Sequence, residues 1–305
     1  MPSPAYASHV IEEAGAAGPS WDQRVESRMT HLVAFVFAVI GTLVGAWIFV
    51  LHATTDPAAD VHAYYEAGAR LNAGEPLYEQ AASVTGSHYY FYPPLLAVAF
   101  RPLALLPFEI AAAIWMGLMF LAFAGSIWLA GVRNRWTWYV LGWLAAPIAW
   151  SLVIGQAHVL VMFLLTLGTP FGLALAGSIK IFPAIAAIYW LGRRDWPMLG
   201  RFVAWGVGLL ALSFILEPSG TIAFVSFPNF ELIGEVTNLS PYAISPALWV
   251  VTVVALAIAA LVFAQTRFGW FLALLLSVLA APRLHLYQFS SLFAIRRIPT
   301  GSRDD

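Results

Sequence analysis

The chain has no cysteine and a single lysine among its 305 residues. The missing cysteine excludes disulfides, thiolate nucleophiles and cysteine-ligated metals, while leaving the compartment open. Charge of either sign is scarce, at 10% of residues with a net charge of -1, so there is no basic field to hold nucleic acid. Beyond a weak Asp60 and His62 pair, no histidine or carboxylate spacing suits a metal, and no cofactor is expected. What is abundant is apolar: 61% of residues are hydrophobic and 13 are tryptophan, and mean hydropathy is +0.78. Such a composition cannot present a water-soluble surface, and the expected class is all-α, a polytopic transmembrane helical bundle.

Apolar runs and their breakers give about ten spans, near 31–51, 108–131, 137–154, 157–168, 170–179, 182–192, 198–216, 246–264, 269–281 and 285–295. Four are short, as helices are when they pack on protein or border a water-filled cavity. Residues 1–30 read as a polar cytoplasmic tail, 31–295 as the transmembrane domain and 296–305 as a second cytoplasmic tail. Segment 52–107 is a first outer loop too polar to face lipid. In it Val61, Tyr64, Gly68 and Leu71 recur at helical spacing and Gly74 stands where a C-terminal cap belongs, which predicts an interfacial helix with Asp60 near its N-terminus. The run 95–106, interrupted at Arg101-Pro102, reads as a re-entrant or interfacial helix, and 217–245 as a second outer loop holding Glu217, Glu231 and Glu235.

Basic residues test this map. With the N-terminus cytoplasmic, 11 of the 15 fall on the cytoplasmic side, which leaves Arg70, Arg101, Lys180 and Arg283 elsewhere. Lys180 lies between two apolar runs, where burying an ammonium costs roughly 2.5 to 3.5 kcal/mol, so it is retained for a function or snorkels from a helix end. The outer side also collects Asp56, Asp60 and His62, then Gln156 and His158, then Arg283 and His285. Carboxylate, amide, imidazole and cations from four distant segments are what a site needs to bind an anion and move a proton.

The motifs Asp60 to Tyr64 and Tyr65, Gly74 to Tyr78, Tyr92-Pro93-Pro94-Leu95, and Pro102 to Pro107 resemble the opening of family 87 glycosyltransferases. The resemblance continues through Gly155-Gln156, Gly177-Ser178-Ile179-Lys180-Ile181-Phe182-Pro183 and Arg193-Arg194-Asp195-Trp196, and more loosely Ala281-Pro282-Arg283-Leu284-His285. It implies a GT-C fold in a bacterial inner membrane and transfer of a sugar, typically mannose, from a polyprenyl-phosphate donor on the extracytoplasmic side. The expected acceptor is a glycolipid such as a phosphatidylinositol mannoside. In the family the acidic residue opening the first outer loop is taken as the general base, and Asp60 matches it. Lys180, Arg283 and His285 are then expected to hold the donor phosphate, and Gln156, His158, Tyr64 and Tyr92 to bind substrate.

Each residue also has a structural reading. Asp60 suits a helix cap, Asp56 before Pro57 a turn, His285 an interfacial position, Gln156 a bond between span ends and His158 a packing role. Tyr89, Tyr90, Phe91 and Tyr92 suit a membrane-interface belt or the wall of an isoprenoid groove. A polyprenyl-phosphate or glycolipid transporter, or an inactive lipid-binding homologue, stays open as an alternative function. A transporter would be expected to carry its charges at the midplane and to show an internal repeat, and none is apparent.

Overall fold

The computed structural model describes residues 21–78, 89–226, 238–299 and 301. Residues 1–20 of the polar tail and Glu231 and Glu235 lie outside the described residues, which are helical and contain no strand.

Helix α1 (Trp21–Thr55) is unbroken by proline and stops just before Asp56-Pro57. Its outward face is apolar, with Leu43 66% and Trp47 64% exposed, the pattern of a helix solvated by hydrocarbon. Helix α2 (Ala59–Asn72) buries Val61, Tyr64, Gly68 and Leu71, the expected stripe, and ends ahead of Gly74 at φ 73°. Helix α3 (Pro94–Phe100) carries proline in its first turn, breaks at Arg101-Pro102 and is followed by a 3₁₀ turn at Leu103–Leu105.

Helix α4 (Phe108–Ala130) is followed by α5 (Arg135–Trp143) and α6 (Ala145–Val153). The expected span 137–154 is therefore two helices meeting at Leu144. Pro147 lacks the amide that would bond back to Trp143, which ends the first helix there. Next come α7 (His158–Leu167) and α8 (Pro170–Ile179). The expected span 182–192 is a 3₁₀ segment, Phe182–Ala187, running into α9 (Ile188–Arg193), and 285–295 is 3₁₀ over Leu286–Arg296. Between these lie α10 (Trp196–Leu216), α11 (Pro218–Ser226), α12 (Pro246–Val262) and α13 (Gly269–Leu279).

Among the described residues three helices, Arg28–Thr55, Phe108–Ala130 and Trp196–Leu216, are long and apolar enough to cross a bilayer of ~30 Å. The shorter apolar helices find their partners inside the protein. Helix α7 packs between α4 and the Leu286–Arg296 segment, and α13 packs on α12 and the same segment. Helix α1 crosses α5 and α6 closely because Gly41 lies against the Gly142 backbone and Gly45 against Ala145, a small-residue crossing suited to a membrane.

Candidate active site

The site is assembled at the start of α2. The amide of Ala58 donates to the Val153 carbonyl at 3.0 Å and that of Asp60 to the Ile154 carbonyl at 3.1 Å, so the turn between α6 and α7 holds the end of α2. Ala58 is the N-cap residue and adopts φ 55°, a left-handed conformation costing about 1 to 2 kcal/mol outside glycine. The cap position is thus Ala58, and the Asp60 carboxylate, within the first turn, is available for other work.

Gly155 explains half of the Gly155-Gln156 pair. It has φ +70°, the place where a Cβ would stand is taken by the Val61 side chain, and its carbonyl accepts from Trp115 Nε1 at 2.7 Å. A side chain there meets both left-handed strain and Val61. Gly155→Ala is expected to destabilise the fold by ~2 kcal/mol, read as a lower thermal midpoint in detergent, and to reduce activity at least tenfold by displacing Asp60. An unchanged midpoint would show that α2 is held elsewhere.

Gln156 explains the other half. It is wholly buried, and its Oε1 accepts from the Tyr64 hydroxyl at 2.7 Å while its Nε2 donates to the Tyr92 hydroxyl at 3.0 Å. Tyr92 in turn lies 3.4 Å from Asp60 Oδ1. Tyr90 and Tyr92 are buried in the core, which corrects their reading as an interface belt: their hydroxyls bond within the protein, Tyr90 donating to the Pro93 carbonyl at 2.7 Å.

Lys180 ends α8 in an extended conformation and is 9% exposed. Its Nζ lies 5.0 Å from the Tyr92 ring centre and 4.7 Å from that of Tyr287, so the ammonium is held between two aromatic faces and does not snorkel outward. Burial pushes the Asp60 carboxyl up to about 6, against the pull of the Lys180 charge and the Tyr92 hydrogen bond. Burial likewise lowers the Lys180 ammonium to about 7, against the attraction of Asp60. A half-buried carboxylate and a buried ammonium from segments 120 positions apart thus act on each other in one site.

Arg283 and His285 come from the turn after α13. The guanidinium stacks 4.7 Å from the Phe91 ring centre, and its buried Nε has no hydrogen-bond partner among the described residues. His285 stacks on Tyr287 with ring centres 5.3 Å apart. The turn is clamped by Asn238, which accepts from the Leu284 amide at 2.9 Å and donates to the Pro282 carbonyl at 2.9 Å. His158 is buried, with Nε2 2.7 Å from Ser291 Oγ and 3.0 Å from the Gln288 carbonyl, and its Nδ1 has no partner among the described residues. Asp56, read as a turn residue, also hydrogen-bonds His52 Nδ1 at 2.7 Å, and the His52 ring stacks on Trp150.

Three residues escaped the sequence reading. Tyr287 sits in a segment that reads as a continuous apolar span, Trp115 is one of 13 tryptophans with nothing to distinguish it, and Asn238 is one of two asparagines in a long loop, so none of the three carried a signal.

The fold and site together define a helical membrane protein that confronts an acid with caged cations. The chain belongs to glycosyltransferase family 87, whose family model matches residues 90–292. Lys180, Gln156, His158, Tyr92, Arg283, His285 and Tyr287 fall within that match, and Asp60 lies ahead of it. Among curated proteins it is similar to a polyprenol-phosphate-mannose-dependent alpha-(1-2)-phosphatidylinositol pentamannoside mannosyltransferase of Mycolicibacterium smegmatis, 25% identical over 61% of this chain and 49% of the relative. The protein of the same name from Mycobacterium tuberculosis is 29% identical over 61% of this chain and 47% of its own length. A phosphatidylinositol mannoside mannosyltransferase of M. smegmatis is 29% identical over 58% of this chain and 49% of its own. The chain spans about half the length of these relatives. No solved structure matches it.

Proposed function

We propose that this protein transfers a mannosyl group from a polyprenyl-phosphate donor to a glycolipid of the phosphatidylinositol mannoside type, on the extracytoplasmic side of a bacterial inner membrane. The observation that carries the reading is a half-buried Asp60 and a buried Lys180 acting on each other in one site of a family 87 chain. In the reaction an acceptor hydroxyl attacks the anomeric carbon, the new C–O bond forms as the bond to the phosphate oxygen breaks, and the leaving electron pair stays on the lipid phosphate. Asp60 takes the hydroxyl proton, and a single displacement of this kind inverts the anomeric centre. Lys180, Arg283 and His285 stabilise the charge that gathers on the phosphate; the unpartnered Arg283 Nε–H supplies a donor with no competing acceptor among the described residues. The ten-span topology with a cytoplasmic N-terminus follows from the distribution of basic residues and puts α2, in the first outer loop, on the outer side.

The test is sugar transfer by the purified protein in lipid nanodiscs, supplied with polyprenyl-phosphate-mannose and a panel of phosphatidylinositol mannosides. Transfer with inversion is expected; saturable donor binding without transfer would instead favour a lipid carrier. The pH dependence is also specified. Asp60 must be ionised, so activity falls as pH drops through about 6, and Lys180 must be protonated, so activity falls as pH rises through about 7. The profile of kcat/KM is therefore a narrow bell whose limbs belong to the pair. Bound donor phosphate raises the Lys180 pKa, so the alkaline limb of kcat lies at higher pH than that of kcat/KM. Coincident alkaline limbs would remove Lys180 from the phosphate.

A further inference from the structure

The hydrogen bonds behind Asp60 run in one direction. The backbone amide of Ala157 can only donate, and it does so to the Tyr64 hydroxyl oxygen at 3.1 Å. Tyr64 therefore has its own proton free for Gln156 Oε1, 2.7 Å away. The opposite orientation of the amide would face Nε2, a second donor, with the Tyr64 proton and leave that proton without an acceptor. Gln156 Nε2 then donates to the Tyr92 oxygen at 3.0 Å, and the Tyr92 proton is left to Asp60 Oδ1 at 3.4 Å. Gln156 Oε1 is 3.2 Å from the Tyr92 hydroxyl and keeps a second lone pair beside the bond from Tyr64, and the Tyr64 and Tyr287 hydroxyls also bond Tyr92, so Asp60 competes for the Tyr92 proton chiefly with Gln156. An ionised carboxylate is the stronger acceptor of the two. Tyr64 and Gln156 are fully buried and Tyr92 is 9% exposed, so water does not break the chain.

We infer that Tyr64, Gln156 and Tyr92 are positioning residues, a proton-ordered relay that starts at the Ala157 amide and delivers one hydroxyl donor to Asp60, keeping the base ionised and aimed. This departs from the expectation that they bind substrate, and it rests on the reading of Asp60 as the base. The groups that act on Asp60 are Asp56 at the end of α1, Tyr92, Lys180 and Arg283, while Tyr64 and Tyr287 also lie within its field. Asp56 disfavours the anion, whereas Lys180, Arg283 and the Tyr92 hydrogen bond favour it. Removing the Tyr92 hydroxyl therefore shifts Asp60 upward. The ring that faces Lys180 stays in place in Tyr92→Phe.

The experiment is the pH profile of kcat/KM for the full chain in nanodiscs. Tyr92→Phe is expected to move the acid limb upward by about one pH unit while the alkaline limb stays near its place. Tyr64→Phe, which removes a hydroxyl that does not bond Asp60, is expected to move the same limb in the same direction, because Oε1 of Gln156, relieved of the Tyr64 bond, becomes a stronger competitor for the Tyr92 proton. Tyr64→Phe/Gln156→Met removes that competitor and is expected to return the limb towards the wild-type position. A purely structural role would lower activity equally at every pH and give no return. An unmoved acid limb in Tyr92→Phe overturns the relay, whether or not the Tyr64 variants fold. Wild-type transfer by Asp60→Asn would instead overturn the reading of the base, which keeps the two failures apart.

Discussion

Asp60→Asn is expected to lower transfer by about 10³-fold, with donor binding retained and the thermal midpoint unchanged. The loss follows from chemistry: asparagine keeps the shape and still accepts from Tyr92, but it cannot take a proton from the attacking hydroxyl. The retained fold follows from packing. Helix α2 is fixed by the Ala58 and Asp60 backbone amides and by Gly155, none of which the substitution touches. The midpoint is expected to hold because losing the cost of burying the Asp60 charge is offset by leaving the Lys180 ammonium without its counter-charge. Asp60→Glu separates placement from acidity, since it keeps the carboxylate but moves it by one methylene; a loss of about 10²-fold is expected. Turnover, donor affinity and thermal midpoint measured on the three proteins together decide the matter. Full activity in Asp60→Asn would return the residue to a structural role at the start of α2.

Much of this site was legible in the sequence for a physical reason. Charge in an apolar chain is costly, so each retained charge stands out, and Lys180, Asp60 and Arg283 were visible as soon as the apolar runs were drawn. Helix α2 was legible because an amphipathic stripe and a capping glycine are local signals. Tyr287 was not, because a tyrosine in an apolar run looks like any aromatic, and only the fold brings it under Lys180. The breaks at Leu144 and through Phe182–Ala187 had a local signal in Pro147 and Pro183, which apolar runs alone pass over because hydropathy does not report helix continuity. The tyrosine run illustrates the same limit: the aromatic belt and the buried core make identical demands on composition, and hydrogen bonding to Gln156 and Pro93 decides between them.

The second large effect is expected at Lys180. Lys180→Gln is expected to lower kcat/KM by about 10² to 10³-fold, because the leaving phosphate loses a charge that is strongest in a site shielded from water. Two further readouts distinguish this loss from general damage. Lys180 holds the Asp60 pKa down, so without it the carboxyl rises further and the acid limb moves to higher pH. The alkaline limb assigned to Lys180 disappears, so the bell becomes a single ascending curve. Lys180→Arg is expected to give little rescue: the Tyr92 and Tyr287 faces lie 5.0 Å and 4.7 Å from a compact ammonium, and a planar guanidinium does not fill the same cage. The thermal midpoint is expected to stay near the wild type, since glutamine removes the cost of burying the ammonium but also the counter-charge of the Asp60 carboxylate. A Lys180→Gln protein that keeps both limbs of the bell would show that the ammonium neither serves the phosphate nor sets the state of Asp60.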